Sequence, residues 1–429
     1  MSYVDQTIDL INFIKNSPTA YHTVSSVREA LIAAGFTELR EDNPTAFSDG
    51  GRHFVIRGGS SIIAFKGKSD KGGFMICASH SDSPCFKIKN ELSGAAYTRL
   101  ATEKYGGMIY YSWLDRPLSV AGRIVVKTDS GVESILVDVG SVAVIPSVAI
   151  HLNRGVNDGY KFNPASDLIP LVGMSDSKGG LMQTIADQAG VEINDIISHD
   201  LFLYNGERGR VIGINDGLIL SPRIDDLGCV YASLRAFLDA PENDKAVSVL
   251  AVFDNEEVGS ETKQGASSTF LDMTLRAIAG NDVRYSSMLY NSFMVSADNA
   301  HALHPNHPEL YDGLNAPVLG GGVVIKYNAN QRYTTDSISD GVFSTLASRA
   351  GIKLQKFSNR ADMVGGSTLG SISNTRVSVS TVDIGLPQLA MHSANETAAV
   401  SDLCDMVGVL TELYSSGIEN LGDRVNIVK

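Results

Sequence analysis

Residues 246–260 read AVSVLAVFDNEEVGS. The first eight residues form an apolar run with the length and composition of a strand that is buried on both faces. Carboxylates follow at once, as Asp254, Glu256 and Glu257. Parallel sheets covered by helices contain such strands, and ligands bind beyond their carboxyl ends. The stretch therefore predicts an α/β fold with a charged site at one edge of its sheet.

Metal-ligand residue types follow other apolar strands in the same way. His80 and Asp82 come after residues 74–78, Asp298 after residues 292–297, His392 after residues 377–384, and Asp225 just before a helical stripe that begins at Leu227. Parallel strands end at a common edge, so these groups are expected to meet in space. Their joint occurrence is unlikely to be coincidence, and it predicts a metal centre.

Taken singly, most of these residues have an ordinary explanation. Asp225 is a good N-cap for the helix that follows, Asp298 suits a turn, and His392 suits a loop. Glu256 and Glu257 are harder to dismiss, because adjacent carboxylates at a buried strand end repel each other unless a cation compensates. One of them can bind a metal while the other accepts a proton.

The wider pattern predicts the fold class: α/β, with a mostly parallel-centred sheet flanked by helices and an inserted, mainly β domain. Helices are expected over residues 3–16, 23–34, 179–189, 337–350 and 399–416, and a hairpin over residues 123–137 with its turn at 128–131. The predicted domains are 1–88 and 222–429, which form the two parts of a catalytic domain, and 89–221, which is the insertion.

Composition narrows the function further. The chain has 429 residues, 43% of them hydrophobic, and a formal net charge of -13. Such a charge argues against nucleic acid as a partner. No apolar run is long enough for a membrane span, and the first residues resemble an amphipathic helix rather than a signal peptide, so a cytoplasmic protein is expected. The four widely spaced cysteines are expected to be reduced thiols.

The trio His301, His304 and His307 resembles a metal-binding tract. Pro305 and Pro308 would interrupt any helix that could bring the three rings to one face. Packing within a loop is therefore the preferred interpretation.

The residues quoted so far belong to a set of motifs that resembles the aspartyl aminopeptidases, a branch of the co-catalytic zinc exopeptidases. The matching stretches are residues 80–85 (HSDSPC), 145–154 (IPSVAIHLNR), 221–225 (SPRID), 254–260 (DNEEVGS), 297–306 (ADNAHALHPN), 325–333 (IKYNANQRY), 366–370 (GSTLG) and 381–393 (TVDIGLPQLAMHS). They span nearly the whole chain, in the order typical of that family, and as a set they are highly specific.

The resemblance implies two divalent metal ions in each subunit, Zn²⁺ with Mn²⁺ or Co²⁺ as alternatives. It implies that the ligands are His80, Asp225, Glu257, Asp298 and His392, with Asp225 bridging the ions. Asp82 would orient His80, and Glu256 would be the general base for a water held between the metals. Asp226 departs from the family pattern, in which Asn is more usual, and it adds a negative charge near the metals.

The resemblance also implies a substrate and an assembly. Peptides with a free acidic N-terminus would bind to a pocket that includes Lys326, Tyr333, Gly366, Ser367 and Thr368. His151, from the inserted domain, would reach the active site of a neighbouring subunit. The subunits would form dimers that build a tetrahedral homododecamer.

Two other functions remain open at this point. One is an N-acyl amino-acid deacylase or a carboxypeptidase with the same metal chemistry, although the match at His151, Lys326 and residues 331–333 argues against it. The other is a non-catalytic cage or adaptor protein that retains the fold, which should have lost Glu256 or a metal ligand. A Ser-His-Asp hydrolase is disfavoured, because no Gly-x-Ser-x-Gly elbow follows a strand.

Overall fold

The computed structural model describes residues 3–47, 50–67 and 72–429. Its helices are α1 (Tyr3–Lys15), α2 (Ala20–Ala33), α3 (Gly180–Ala189), α4 (Ile224–Asp239), α5 (Phe270–Ala279), α6 (Asp282–Tyr290), α7 (Ser337–Ala350), α8 (Leu369–Ser373) and α9 (Val400–Tyr414). No helix in these described ranges has the length and apolar character needed to cross a membrane.

The strands of the first half are β1 (Thr37–Glu38), β2 (Arg52–Arg57), β3 (Ser61–Lys66), β4 (Phe74–His80), β5 (Cys85–Ser93), β6 (Tyr97–Tyr105), β7 (Leu118–Thr128), β8 (Gly131–Ala143), β9 (Leu171–Met174) and β10 (Ile196–Tyr204). Those of the second half are β11 (Arg210–Ile212), β12 (Leu218–Ser221), β13 (Val247–Phe253), β14 (Phe293–Ala297), β15 (Ala300–His301), β16 (Val323–Tyr327), β17 (Leu354–Ser358), β18 (Ser380–Gly385), β19 (Pro387–Leu389), β20 (Glu396–Ala399), β21 (Gly417–Asn420) and β22 (Val425–Val428).

A nine-stranded sheet carries the predicted α/β layer, in the order β1-β2-β3-β13-β4-β14-β18-β16-β17. Its four central strands, β13, β4, β14 and β18, run parallel to one another. Antiparallel pairs occur between β2 and β3, β3 and β13, and β16 and β18. The expected parallel centre is therefore confirmed, and its flanks are mixed.

Helices cover both faces of this sheet, which explains why β4, β13 and β14 are buried along their whole length without alternation. Along β13, Leu250 and Val252 pack with α1, α2, α4, α7 and α9 on one face. Val249, Ala251 and Phe253 pack with α5, α6 and α8 on the other face. Every residue of β13 is buried as a result.

A second sheet, in the order β8-β7-β10-β5-β6-β9, is formed entirely from the stretch between β5 and β10. The predicted hairpin is present, with Thr128 opposite Gly131, and α3 packs on this sheet through Leu181 and Ile185. Strands β11 and β12 instead join β20, β19 and β15 in a five-stranded sheet. The domain limits at 88/89 and 221/222 stay predictions.

Most predicted helices occur within a few residues of their expected bounds, and α7 covers residues 337–350 as expected. Helix α6 and strand β17 were not predicted. All four cysteines are free thiols.

Candidate metal centre

The parallel centre of the large sheet brings the metal-ligand residue types together. In the register of the sheet, the last residue of β13, Phe253, lies beside His80, the last residue of β4. On the other side of β4, strand β14 ends at Ala297, directly before Asp298, and pairs with β18. The loops that follow these strands therefore start at one edge of the sheet.

Asp225 lies between two imidazoles. Its Oδ1 is 3.5 Å from Nε2 of His80, and its Oδ2 is 3.5 Å from Nε2 of His392. Nε2 of His392 is also 3.4 Å from Oε1 of Glu257. Burial acts to raise the pKa of Asp225, but the two imidazoles outweigh this effect and hold the pKa below its usual range.

Potential ligand atoms of these residues form three overlapping clusters, and within each cluster all such atoms lie within 4.8 Å of one another. The clusters are His80 with Asp225, Asp226 and Asp298; His80 with Glu256 and Glu257; and Asp225 with Glu257 and His392. His80, Asp225 and Glu257 each belong to two clusters. The geometry thus has the form of three overlapping ligand sets with shared members.

Asp226, the residue at which the sequence departs from the family pattern, points into the cluster of metal-ligand residue types. Its side chain is fully buried, and its Oδ2 accepts the backbone N–H of His80 over 3.1 Å. Its Oδ1 has no hydrogen-bond partner among the described residues. Burial, together with the charges of Asp298 and Asp225, raises the pKa of Asp226 well above its usual value, against the opposing effect of His80.

Asp82 organises the loop that carries the two glutamates. Its Oδ1 accepts the backbone N–H of Glu256 over 3.1 Å, and its Oδ2 accepts that of Glu257 over 3.2 Å. Nδ1 of His80 is 3.1 Å from the main-chain oxygen of Asp82 and 3.4 Å from its Oδ1. Asp82 therefore contacts His80 mainly through its carbonyl group, while its carboxylate fixes the glutamates.

Burial raises the pKa of Glu256 to about 8, and the neighbouring carboxylates add to this effect, while His80 opposes it. Burial likewise raises the pKa of Glu257 well above its usual value. Both shifts follow mainly from burial, and the surrounding carboxylates act in the same direction.

The donor set suits zinc, which takes imidazole nitrogen and carboxylate oxygen as ligands. Oδ1 of Asp225, like that of Asp226, is buried and has no hydrogen-bond partner among the described residues. A divalent cation would satisfy these orphaned oxygens and offset the crowded negative charge. The side chains present therefore fit a metal centre.

A cavity of about 190 Å³ opens beside these ligands. The predicted pocket residues Lys326, Tyr333, Gly366, Ser367 and Thr368 all line it, together with Glu256. The structure thus brings the predicted substrate pocket and the metal-ligand types to one place.

Lys326 is the lysine in this cavity wall, and its side chain is almost fully buried. Its Nζ donates to the main-chain oxygen of Asp298 over 2.7 Å and lies 3.8 Å from Oδ2 of the same residue. It also lies 5.2 Å from the centre of the Tyr333 ring. The ammonium group is therefore held at the boundary between the pocket and the predicted metal ligand Asp298.

Three histidines, His151, His304 and His307, lie outside both the cavity wall and the clusters of metal-ligand residue types. His151 is exposed and does not belong to the cavity wall of its own chain. His304 and His307 pack against each other, with ring centres 5.2 Å apart, as the loop interpretation implies. His301, by contrast, lines the cavity and packs against Phe357.

Several contacts at the site were missed in the sequence. Tyr105, from the six-stranded sheet, donates to Asp82 over 2.6 Å. Gly106 follows it with φ 73°, and a Cβ there would lie 3.1 Å from Cβ of Glu257. Glu396 accepts the backbone N–H groups of Asp225 and His392. No motif marks these residues, because each depends on contacts between distant segments.

Known proteins match this fold and these motifs. A model of the M18 peptidase family, described as aminopeptidase I zinc metalloprotease, matches residues 13–414. A probable M18 family aminopeptidase 2 of Clostridium acetobutylicum is 44% identical over 423 residues, covering 95% of this chain and 98% of that protein.

Solved structures agree with these sequence matches. The cryo-EM structure of a complex of Ape4 and Nbr1 superimposes with a TM-score of 0.93 at 33% identity, covering 96% of this chain and 86% of that one. The mApe1 dodecamer of S. cerevisiae gives 0.84 at 28% identity, covering 96% and 97%. The chain belongs to the M18 peptidase family and is a zinc aminopeptidase.

Proposed function

We propose that this aminopeptidase uses two metal ions to remove acidic residues from peptide N-termini. The metal ligands in this proposal are His80, Asp225, Glu257, Asp298 and His392. The observation that carries it is the position of Asp225, whose two oxygens each lie 3.5 Å from a different imidazole nitrogen. A carboxylate placed in this way is suited to bridge two cations.

The chemistry divides between the ions and Glu256. When bound, two divalent cations at this site would polarise the scissile carbonyl and lower the pKa of the attacking water. Glu256 lines the cavity beside the ligand groups, so it is placed to accept a proton from that water. It then returns the proton to the leaving amine. Asp82 keeps Glu256 in place through the backbone hydrogen bond to its N–H.

The acidic preference is assigned to Lys326. A substrate carboxylate buried in the pocket needs a cationic partner, and the Lys326 ammonium lies in the cavity wall. Its contact with Asp298 places that cation next to the metal site. The substrate's acidic side chain would therefore bind close to the peptide bond that is cleaved. Gly366, Ser367, Thr368 and Tyr333 would form the rest of the pocket.

The proposal includes self-association, in the manner of the dodecameric relative. The segment around His151 exposes three apolar side chains: Val148, Ile150 and Leu152, the last 84% exposed. An exposed apolar segment of this kind suits an interface between subunits. His151 would then contribute to a neighbouring active site in a tetrahedral homododecamer built from dimers.

The cytoplasmic location expected from the sequence also belongs to this proposal.

One experiment tests the chemistry directly. The purified protein is stripped of metal, reloaded with Zn²⁺, Mn²⁺ or Co²⁺, analysed for metal content, and assayed on peptides that differ only in their N-terminal residue. Two ions per chain and preferential cleavage after Asp or Glu are expected. Matched peptides with acetylated N-termini should be inert, and their cleavage would instead indicate a deacylase. A chain that binds two ions yet cleaves none of these peptides would indicate a non-catalytic role.

A subunit-mixing experiment tests the role of His151. His151→Phe and Glu256→Gln subunits are each expected to be inactive alone. Mixed assemblies should regain activity, because an intact Glu256 site can then receive His151 from its neighbour. Light scattering reports the assembly of each sample. Mixed assemblies of full size without recovered activity would remove His151 from the active site.

A further inference from the structure

Glu396 joins the backbones of two ligand residues. Its side chain is only 2% exposed, at the start of β20. Oε2 accepts the backbone N–H of Asp225 over 2.9 Å, and Oε1 accepts that of His392 over 2.7 Å. These two residues come from segments far apart in the chain, so one carboxylate fixes the distance between them.

Two buried amides extend this connection to the segment that carries Asp298. Nδ2 of Asn299 donates to Oε1 of Gln388 over 3.0 Å and to the main-chain oxygen of Ile224 over 2.8 Å. Nε2 of Gln388 approaches Oε1 of Glu396 at 3.5 Å. Asn299 directly follows Asp298, and Ile224 directly precedes Asp225. The network therefore links the main chain at three of the five segments that carry the proposed ligands.

We propose that Glu396 is a positioning residue that sets the affinity of the metal site formed by Asp225, Glu257 and His392. This inference rests on the two-metal function proposed above. Glu396 itself does not belong to the wall of the substrate cavity. Its direct hydrogen bonds to the ligand residues are made to their backbone N–H groups, and groups outside the ligand set are known to tune metal affinity.

A carboxylate is the side chain suited to this task. Both of its oxygens accept, so it can receive two backbone N–H groups at once. An amide of the same shape has one oxygen and one NH₂ group, and that NH₂ group would face an N–H donor. Glu396→Gln therefore keeps the volume but loses one connection, and either Asp225 or His392 shifts. Glu396→Asp keeps the charge, but it is shorter by one methylene and cannot span both groups.

Asp402 provides a matched control. It is also a fully buried carboxylate that accepts two backbone N–H groups, those of Gly320 and Gly322, over 2.8 and 2.9 Å. These groups belong to the turn before β16 and not to a ligand segment. Asp402→Asn thus removes the same kind of bond without touching the metal site.

The test measures zinc content and zinc affinity for the full chain, by elemental analysis after dialysis and by competition with a chromogenic chelator. Circular dichroism confirms the fold of each variant. Wild type should hold two ions. Glu396→Gln and Glu396→Asp should bind one of them about 10- to 100-fold more weakly, while Asp402→Asn should match wild type. If the Gln variant does not fold, the Asp variant decides.

The remaining outcomes overturn the inference. Wild-type zinc affinity in Glu396→Asp would show that the metal site needs the negative charge of Glu396 but not the length of its side chain. Equal weakening in Asp402→Asn would show a general effect of lost stability. A wild-type chain that fails to bind two ions would overturn the two-metal function and this inference with it, whereas normal binding in all variants would overturn the inference alone.

Discussion

The phenolic hydroxyl of Tyr105 donates a hydrogen bond of 2.6 Å to Oδ2 of Asp82. The same hydroxyl accepts from Nδ2 of Asn255 over 2.9 Å. Tyr105 ends a strand of the six-stranded sheet, whereas Asp82 and Asn255 follow strands of the nine-stranded sheet. The loop that holds Glu256 is therefore supported from the other sheet.

Tyr105→Phe should lower kcat about tenfold and change KM little, because the loss of one hydrogen bond to a charged group is worth about 1.5 kcal/mol or more. The metal content should stay at the wild-type level, since no ligand is altered. Steady-state kinetics and elemental analysis measure both effects. Tyr111→Phe, at a 70% exposed position nearby, is the control. Equal kcat values in the two variants would show that the hydrogen bond from Tyr105 to Asp82 does not contribute to catalysis.

Glu256→Gln should fold and bind metal like wild type, yet lose roughly 10²–10⁴-fold in kcat, because an amide cannot accept the proton. Glu261→Gln is the matched control: an exposed glutamate of the same segment that does not line the substrate cavity. Its activity should be unchanged. A Glu256→Gln enzyme with near-normal turnover would require another general base.

Lys326→Met should lower kcat/KM for aspartyl and glutamyl substrates by about 100-fold or more, because the substrate carboxylate would be buried without its partner. Leucyl substrates should be affected much less. Lys356→Met, on the neighbouring strand β17 and exposed, is the control for removing a lysine. If the ratio of aspartyl to leucyl cleavage survives Lys326→Met, the determinant lies elsewhere.

Gly106→Ala should weaken metal binding by about tenfold or more, because the new Cβ would press on Glu257. Gly140→Ala separates this effect from backbone strain. Gly140 has φ 70°, close to the 73° of Gly106, but a Cβ there would have no neighbour within 4 Å. Chelator competition should distinguish the two variants, and similar metal affinities in both would exclude the contact with Glu257 as the cause.

The buried imidazole of His22 should lower the free energy of unfolding at acidic pH. Burial lowers the pKa of His22 from 6.5 to about 4, and Arg223 acts in the same direction. Between pH 6.5 and about 4, the folded state therefore binds fewer protons at His22 than the unfolded state does. The contribution of the neutral His22 to the free energy of unfolding is thus complete above pH 6.5 and is lost as the pH falls towards 4.

Replacing the imidazole by a neutral amide should flatten this dependence. Thermal unfolding of wild type and His22→Gln is compared from pH 4.5 to 7.5, with EDTA in both samples so that metal release does not contribute. The difference in Tm between the two proteins should change across this range in favour of the variant at low pH. A constant difference would mean that His22 titrates alike in the folded and unfolded states.

Local patterns sufficed for much of the architecture. The apolar run that forms β13 and the carboxylates that follow it predicted both a doubly covered strand and the edge at which the site forms. The helix at 337–350 has a capping box at Asp336 and a glycine stop at Gly351, and both of its bounds were correct. Short-range signals of this kind are fully encoded in neighbouring residues.

Other features depend on contacts that no short segment contains. Helix α6 has only Tyr285 and Met288 as buried residues, so its sequence carries little apolar periodicity by which to recognise it. Glu396 and Tyr105 have no distinctive neighbours in the sequence, and they matter because folding carries them to Asp225 and Asp82. Likewise, Asp82 was expected to orient His80, and the sequence could not show that its carbonyl oxygen lies closer to Nδ1 of His80 than its carboxylate does.

The order of the sheet has a consequence for how such a protein matures. Strand β4 lies between β13 and β14, which are made long after it, and His392 comes later still. During synthesis, a ribosome-bound chain that ends before these segments holds His80 without the groups that surround it in the finished molecule. In the proposed centre, binding of metal by the complete ligand set must therefore follow translation of nearly the whole polypeptide, and fragments truncated ahead of residue 392 should carry no complete centre.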